Sequence, residues 1–163
     1  MGILEFFQRR KIRTAFGPYL KPEVLRKLLS SPEIVEPVVR HFQFVLALPD
    51  DTNSQQVSVI IGKAINTMFD HDATFLSGAP SLLFAILGAP LNRHNSAAER
   101  RALVDALLRE NGNQIRIAHR ECAGLVGNIG VARRYQYSAL IPGFSGILKK
   151  LLETNPGTAV EIP

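Results

Sequence analysis

The sequence predicts an α+β domain with a mostly antiparallel sheet covered on one face, and three observations predict it. Residues 41–48 are rich in Phe, Val and Leu and end at Pro49, as expected for a buried strand followed by a turn. Apolar side chains in residues 57–69 recur with helical spacing. Two short apolar runs, residues 73–76 and 82–87, flank a turn sequence and predict a hairpin. With the elements that follow, the order is β-α-β-β-α-β with additions.

The remaining elements follow from caps and apolar runs. Residues 1–40 are predicted to be helical and amphipathic, with Pro22 at the start of a short helix. Ser96 and Glu99 have the spacing of a capping box, which predicts a helix that begins there. The rest of the chain is predicted to form three strands, a helix and a final short strand: residues 114–119, 124–129, 135–140, 144–152 and 158–162.

Composition restricts the class of protein. A chain of 163 residues suits one domain with one core, and 46% hydrophobic with 20% charged residues is ordinary for a soluble globular protein. The longest apolar runs, residues 42–48 and 82–91, are far shorter than the roughly 20 residues that cross a bilayer. No signal peptide is visible at the N-terminus. The single Cys122 cannot form an internal disulfide, so we expect a reducing compartment and a cytoplasmic location.

The formal charge of +5 is concentrated near the N-terminus, where Arg9, Arg10, Lys11 and Arg13 lie together. A basic run of this kind can contact acidic lipid or nucleic acid, or it can be a solvated helix face. No aromatic stacking platform or groove-reading motif accompanies it, so we expect no nucleic-acid partner. Membrane contact is expected only through a partner or through this basic segment.

The residues alone indicate no known chemistry. There is no Walker loop, no paired-cysteine zinc motif and no nucleophile elbow in the sequence. Two acidic pairs, Asp50 with Asp51 and Asp70 with Asp72, are weak candidates for binding a hard cation through oxygens. Aspartates that follow a strand or helix are also ordinary turn formers. We therefore expect no metal site and no cofactor.

Three stretches together resemble class III adenylyl and guanylyl cyclases. They are RRKIRTAFGPYLKPEVLRKLL at residues 9–29, ATFLSGAPSLLFAILGAP at residues 73–90 and IRIAHRECAGLVGNIGVARRYQYSALIPG at residues 115–143. The GNIG run that starts at Gly127, with the Arg pair and Tyr137 that follow it, is specific to this family. The resemblance implies a ferredoxin-like βαββαβ cyclase core with a helical N-terminal lead-in. It also implies a dimer, usually head-to-tail, with catalytic sites at the interface.

The family's catalytic positions carry other residue types in this chain. The resemblance places the family's two metal-binding aspartates on Leu48 and Ser81. It places the purine-selecting lysine on Ser77 and that lysine's partner on Pro142. The orienting asparagine falls on Ser145, and the transition-state arginine falls on or near Lys149. Leucine cannot bind a metal, and neutral serine is a poor substitute for a carboxylate. Lysine lacks the planar fork that arginine offers to phosphate. If the first strand is aligned two residues later, Asp50 takes the place of one metal ligand.

The resemblance with these losses implies a catalytically inactive cyclase-like domain rather than an enzyme. We expect it to act in intracellular signal transduction as a dimerisation or regulatory module. The alternatives are a divergent active adenylyl or guanylyl cyclase, a partner that contributes half a site to an active cyclase, and a basic nucleic-acid-binding module.

The expected association site lies in the lead-in. We divide the chain into a lead-in and dimerisation segment, residues 1–40, and a shortened cyclase-homology domain, residues 41–163. A lone helix cannot bury large apolar side chains, so those of the lead-in need either the domain body or a second chain, which would give a homodimer or a heterodimer with a cyclase-type domain. These apolar residues are Ile3, Leu4, Phe6, Phe7, Ile12 and Phe16.

Overall fold

The computed structural model of the chain describes residues 10, 13–14, 17, 20, 22–30, 36–50, 54–77, 81–91, 95–128 and 137–163. Four helices are named here in chain order: α1 (Pro22–Ser30), α2 (Ser54–Asp70), α3 (Ala97–Asn111) and α4 (Phe144–Glu153). Six strands are β1 (Val38–Pro49), β2 (Thr74–Ser77), β3 (Leu83–Leu87), β4 (Ile115–Asn128), β5 (Tyr137–Leu140) and β6 (Ala159–Glu161).

The strands form one sheet in the order β2-β3-β1-β4-β5, and β6 pairs with the outer edge of β4. All pairs are antiparallel except β4 with β6, which is parallel. The predicted α+β class and the order β-α-β-β-α-β are confirmed. The sheet is curled. Cα atoms of β2 and β5 lie within 8 Å of each other, although these strands are at opposite ends of the strand order.

Both faces of the sheet are covered, which corrects the prediction of one covered face. Phe44 and Leu46 on β1 point into a core cluster shared with α1 and α4. The alternate residues Val45 and Ala47 point into a second cluster shared with α2 and α3. All four side chains are fully buried. A central strand that is buried on both faces has a continuous apolar run instead of alternation, and β1 shows that pattern.

Helix α1 is part of the first cluster. Leu28 is fully buried there with Phe42 and Phe44, and Leu20, just before the helix, is buried with them. The boundary predicted at residue 40 falls inside β1, which begins at Val38. A functional division of the chain near this point stays a prediction, but Leu20 and α1 of the lead-in pack against the domain body.

One continuous strand, β4, replaces two strands predicted over residues 114–119 and 124–129. Its apolar pattern is interrupted by His119 and by the polar residues after it. Main-chain pairing with β1 nevertheless runs without a break from Pro49↔Ile115 to Val38↔Val126. Backbone hydrogen bonds do not depend on side-chain polarity, so pairing with a long neighbour outweighs the local pattern.

The capping box at the start of α3 is confirmed. The Glu99 amide donates to Ser96 Oγ at 3.2 Å, and the Ser96 amide donates to Glu99 Oε2 at 3.0 Å. These two bonds satisfy donors that the first turn of a helix otherwise leaves free. In the part of the chain that is described, no helix is both long and apolar enough to span a bilayer.

Candidate functional site

Two positions that the resemblance assigns to metal ligands lie close together. Leu48 is near the end of β1, and Ala47 is paired with Leu83 on β3. Continuing this antiparallel register by one residue places Leu48 opposite Leu82, which follows Ser81 just before β3. Ser81 is exposed and Leu48 is half-buried. The sequence-based assignment therefore identifies one end of the β1–β3 pair as a candidate site.

Leu48 and Leu82 are the hydrophobic side chains at this end. Leu48 and Leu82 pack against the first core cluster, and so do Phe144 and Leu148 of α4. The ring of Phe144 lies 6.4 Å from that of Phe84, centroid to centroid. A hard cation requires several oxygen ligands, and these side chains supply none.

The other assigned positions lie around α4 and the hairpin. Pro142 precedes α4, and both Pro142 and Ser145 are exposed. Lys149 is one turn beyond Ser145, and its Nζ lies 3.9 Å from Glu153 Oε1 in a solvent-exposed i,i+4 pair. Such exposed pairs contribute little to stability, so Glu153 does not hold the Lys149 side chain tightly. Ser77 ends β2, and its side chain lies outside the described residues.

Asp50 is engaged by an arginine. Its carboxylate forms an ion pair with Arg116 Nη2 on β4, directly beside Leu48, since Leu48 is paired with Arg116 in the sheet. The same guanidinium donates from Nη1 to the carbonyl oxygen of Leu152 at 3.0 Å. A cation at Asp50 would have to displace this internal positive charge. The second weak candidate, Asp51, lies outside the described residues.

The remaining acidic residues do not complete a metal site. Asp72 lies in the turn after α2 with a positive φ of 55°. Over the ranges that the structure describes, no group of three His, Cys, Asp or Glu side chains is placed to hold a metal ion. The apolar lead-in residues Ile3, Phe6, Phe7, Ile12 and Phe16 lie outside the described residues, so their role stays a prediction.

A buried polar cluster that the sequence analysis missed lies on the opposite face of the sheet. Arg100 on α3 is only 2% exposed, yet it is charged. Its guanidinium donates to Gln43 Oε1 on β1 and pairs with the carboxylate of Glu161 on β6. One signal was available in the sequence. Arg100 lies three and four residues before Leu103 and Val104, on the apolar stripe of α3.

His119 on β4 belongs to the same region. It is buried, and its Nδ1 has no hydrogen-bond partner among the described groups. Burial first, and then the charge of Arg100, lower the pKa of His119 from its usual value. Both effects disfavour the protonated imidazole, so His119 stays neutral at neutral pH.

Comparison with solved structures finds nucleotide cyclases. The guanylyl cyclase Cya2 is 21% identical with a TM-score of 0.59, over 76% of this chain and 75% of that one. The adenylyl cyclase CyaB from P. aeruginosa is 11% identical with a TM-score of 0.64, over 77% and 78% of the two chains. A dimeric guanylyl cyclase domain of the RhoGC fusion protein from the aquatic fungus Blastocladiella emersonii is 9% identical with a TM-score of 0.64, over 78% of this chain and 82% of that one.

Sequence comparisons add no relative, since no family model matches the chain and neither does any curated protein. The structural similarity confirms the fold predicted from the resemblance. The chain has the fold of class III adenylyl and guanylyl cyclase catalytic domains.

Proposed function

We propose that this chain is a catalytically inactive, cyclase-like domain that acts in intracellular signal transduction as a dimerisation or regulatory module in the cytoplasm. One observation carries the proposal. The position assigned to a metal aspartate is Leu48, a half-buried leucine that packs, like Leu82, Phe144 and Leu148, against the first core cluster. The nearby carboxylate of Asp50 is held by Arg116.

The chemistry of the family explains why this matters. Cyclisation of a nucleoside triphosphate needs metal ions that activate the ribose hydroxyl and neutralise the phosphates. An apolar cluster gives those ions no ligands, and the fixed guanidinium of Arg116 would repel them. Pro142, at the position that would help to read the purine, has no N–H and no polar side chain to offer.

The first prediction is that the purified protein makes no cyclic AMP or cyclic GMP from ATP or GTP with manganese. Product would be measured by mass spectrometry beside an active cyclase domain at equal concentration. Turnover above background that disappears in an Asp50→Asn variant would overturn the proposal. It would support the alternative in which the first strand is aligned two residues later and Asp50 is a metal ligand in a divergent active cyclase.

Exposed Lys149 favours a second candidate function. A partner that contributes half a site must present its charged side chain to another chain, and Lys149 is 78% exposed on α4. The test adds this chain to an inactive cyclase domain that lacks its own transition-state arginine. Restored cyclic nucleotide production that is lost with Lys149→Ala would establish this function in place of a purely regulatory one.

The second prediction concerns association through the lead-in. At tens of micromolar we expect the full chain to sediment as a dimer, and a Phe6→Asp/Phe7→Asp variant to sediment as a monomer, because charge at these positions prevents their burial between chains. Val59→Asp is the matched control, since Val59 is exposed on α2. A full chain that stays monomeric at these concentrations would exclude self-association and leave pairing with a different cyclase-type domain.

A further inference from the structure

Strand β6 covers a polar cluster in the interior. We call Gln43, Arg100, His119 and Glu161 the Arg100 cluster. Its first three members are buried, and His119 is only 6% exposed. In the register of β4 with β6, His119 is aligned with Glu161. The short final strand is therefore what separates this part of β4 from solvent along its outer edge.

A single carboxylate in the Arg100 cluster pairs with two arginines. Glu161 is shared between Arg100 and the exposed Arg101, whose Nη2 lies 3.5 Å from Glu161 Oε2. Arg100 Nε and His119 Nδ1 have no hydrogen-bond partner in the described part of the chain. The charged groups that act on His119 are Arg100, Arg101 and Asp105 from α3 and Glu161 from β6. On its β1 side His119 is paired with the uncharged Val45.

β6 is a short strand, and two main-chain bonds at its ends add to its parallel pairing with β4 at residues 117–119. It spans three residues. The Ile117 amide donates to the carbonyl of Thr158 at 3.1 Å, and the Ile162 amide donates to the carbonyl of His119 at 2.9 Å. Val160 and Ile162 pack partly buried against the first core cluster, yet an element this short can open locally at lower free energy than the whole fold. Local opening of β6 is thus a realistic route for water to reach His119.

We propose that β6 is an acid-sensitive strap, which leaves the edge of β4 when His119 takes up a proton. A protonated imidazole would be a second cation beside the buried Arg100, with one half-exposed carboxylate shared among them. Opening of β6 admits water to both cations and relieves their repulsion. It also frees the main-chain edge of β4 at residues 117–119, a surface that another strand can pair with.

The direction in which pH changes the opening of β6 follows from the difference between the pKa of His119 in the closed and open states. In the closed state the pKa of His119 is lowered by burial and by Arg100, whereas an opened, solvated histidine titrates near about 6.5. The closed state is therefore fully stable above that value and loses stability as the pH falls toward the lowered pKa. Between pH 7.5 and 5.5 the opening equilibrium should therefore increase, by at most about tenfold.

Amide hydrogen exchange in the full chain tests the proposal. We expect the protection factor of the Ile162 amide to fall between pH 7.5 and 5.5, by up to about tenfold, while the amides of the central turns of α3 keep theirs. In a His119→Gln variant the ratio between the two pH values should be close to one, whatever its absolute protection. His41→Gln, an exposed histidine on the same sheet, should keep the full effect.

Three results would overturn the proposal. The first is an Ile162 protection factor that does not change with pH. The second is an equal loss of protection in α3, which would show global destabilisation instead of strand release. The third is a pH effect that persists in His119→Gln, which would show that His119 is not the group responsible.

Discussion

Replacing Glu161 with alanine is expected to destabilise the fold by about 3 kcal/mol, the lower end of the range for breaking a buried ion pair. The cost arises because Arg100 stays in the interior without a counter-charge, with a side chain only 3% exposed. We choose the lower end because the Glu161 side chain is 47% exposed and partly screened by water. The free energy of unfolding in urea measures the effect.

Two further variants separate the ion pair from general damage to the strand. Glu153→Ala removes a carboxylate from an exposed pair with Lys149 and should change stability by less than about 0.5 kcal/mol. In the double variant Arg100→Met/Glu161→Ala no unpaired charge remains in the interior, so much of the lost stability should return. A loss below about 1 kcal/mol in Glu161→Ala alone would mean that Arg100 reaches solvent in another way.

The second large effect is expected at Leu28, in the lead-in helix α1. Leu28→Ala should cost about 2–5 kcal/mol, because it opens a cavity where Leu28 is fully buried against the first core cluster. The matched control is Leu152→Ala on α4, where the side chain is 55% exposed and the loss should be under about 1 kcal/mol. Urea unfolding of both variants gives the comparison.

The result at Leu28 bears on how the lead-in is used. A large loss means that α1 belongs to the stable body of the domain, and that only the residues before Leu20 remain for pairing between chains. Leu28→Ala with a loss near that of Leu152→Ala would mean instead that α1 is only loosely attached, and the whole lead-in would be available to a partner.

The candidate site was partly predictable. The resemblance anchors Ser81 through the hairpin residues on either side of it, whereas the Leu48 position moves to Asp50 if the first strand is aligned two residues later. The pairing of Asp50 with Arg116 could not be predicted, since 66 residues separate them in the chain. Only the pairing of β1 with β4 brings the two side chains together.

The sequence by itself determined the local elements. The helical period of residues 57–69, the capping box at Ser96 and the two short apolar runs of the hairpin each depend on neighbours within a few residues. The order of these elements then predicted the α+β class. Local hydrogen bonding and side-chain period act within single segments, so a single sequence contains enough information to predict them.

Only the tertiary structure decided which surfaces meet. It covered the second face of the sheet with α1 and α4, joined two predicted strands into β4, and buried Arg100 on the apolar stripe of α3. Each of these outcomes depends on contacts between residues far apart in the chain. A charged side chain can occupy an interior position when distant partners such as Gln43 and Glu161 supply its hydrogen bonds, and local sequence does not specify such partners.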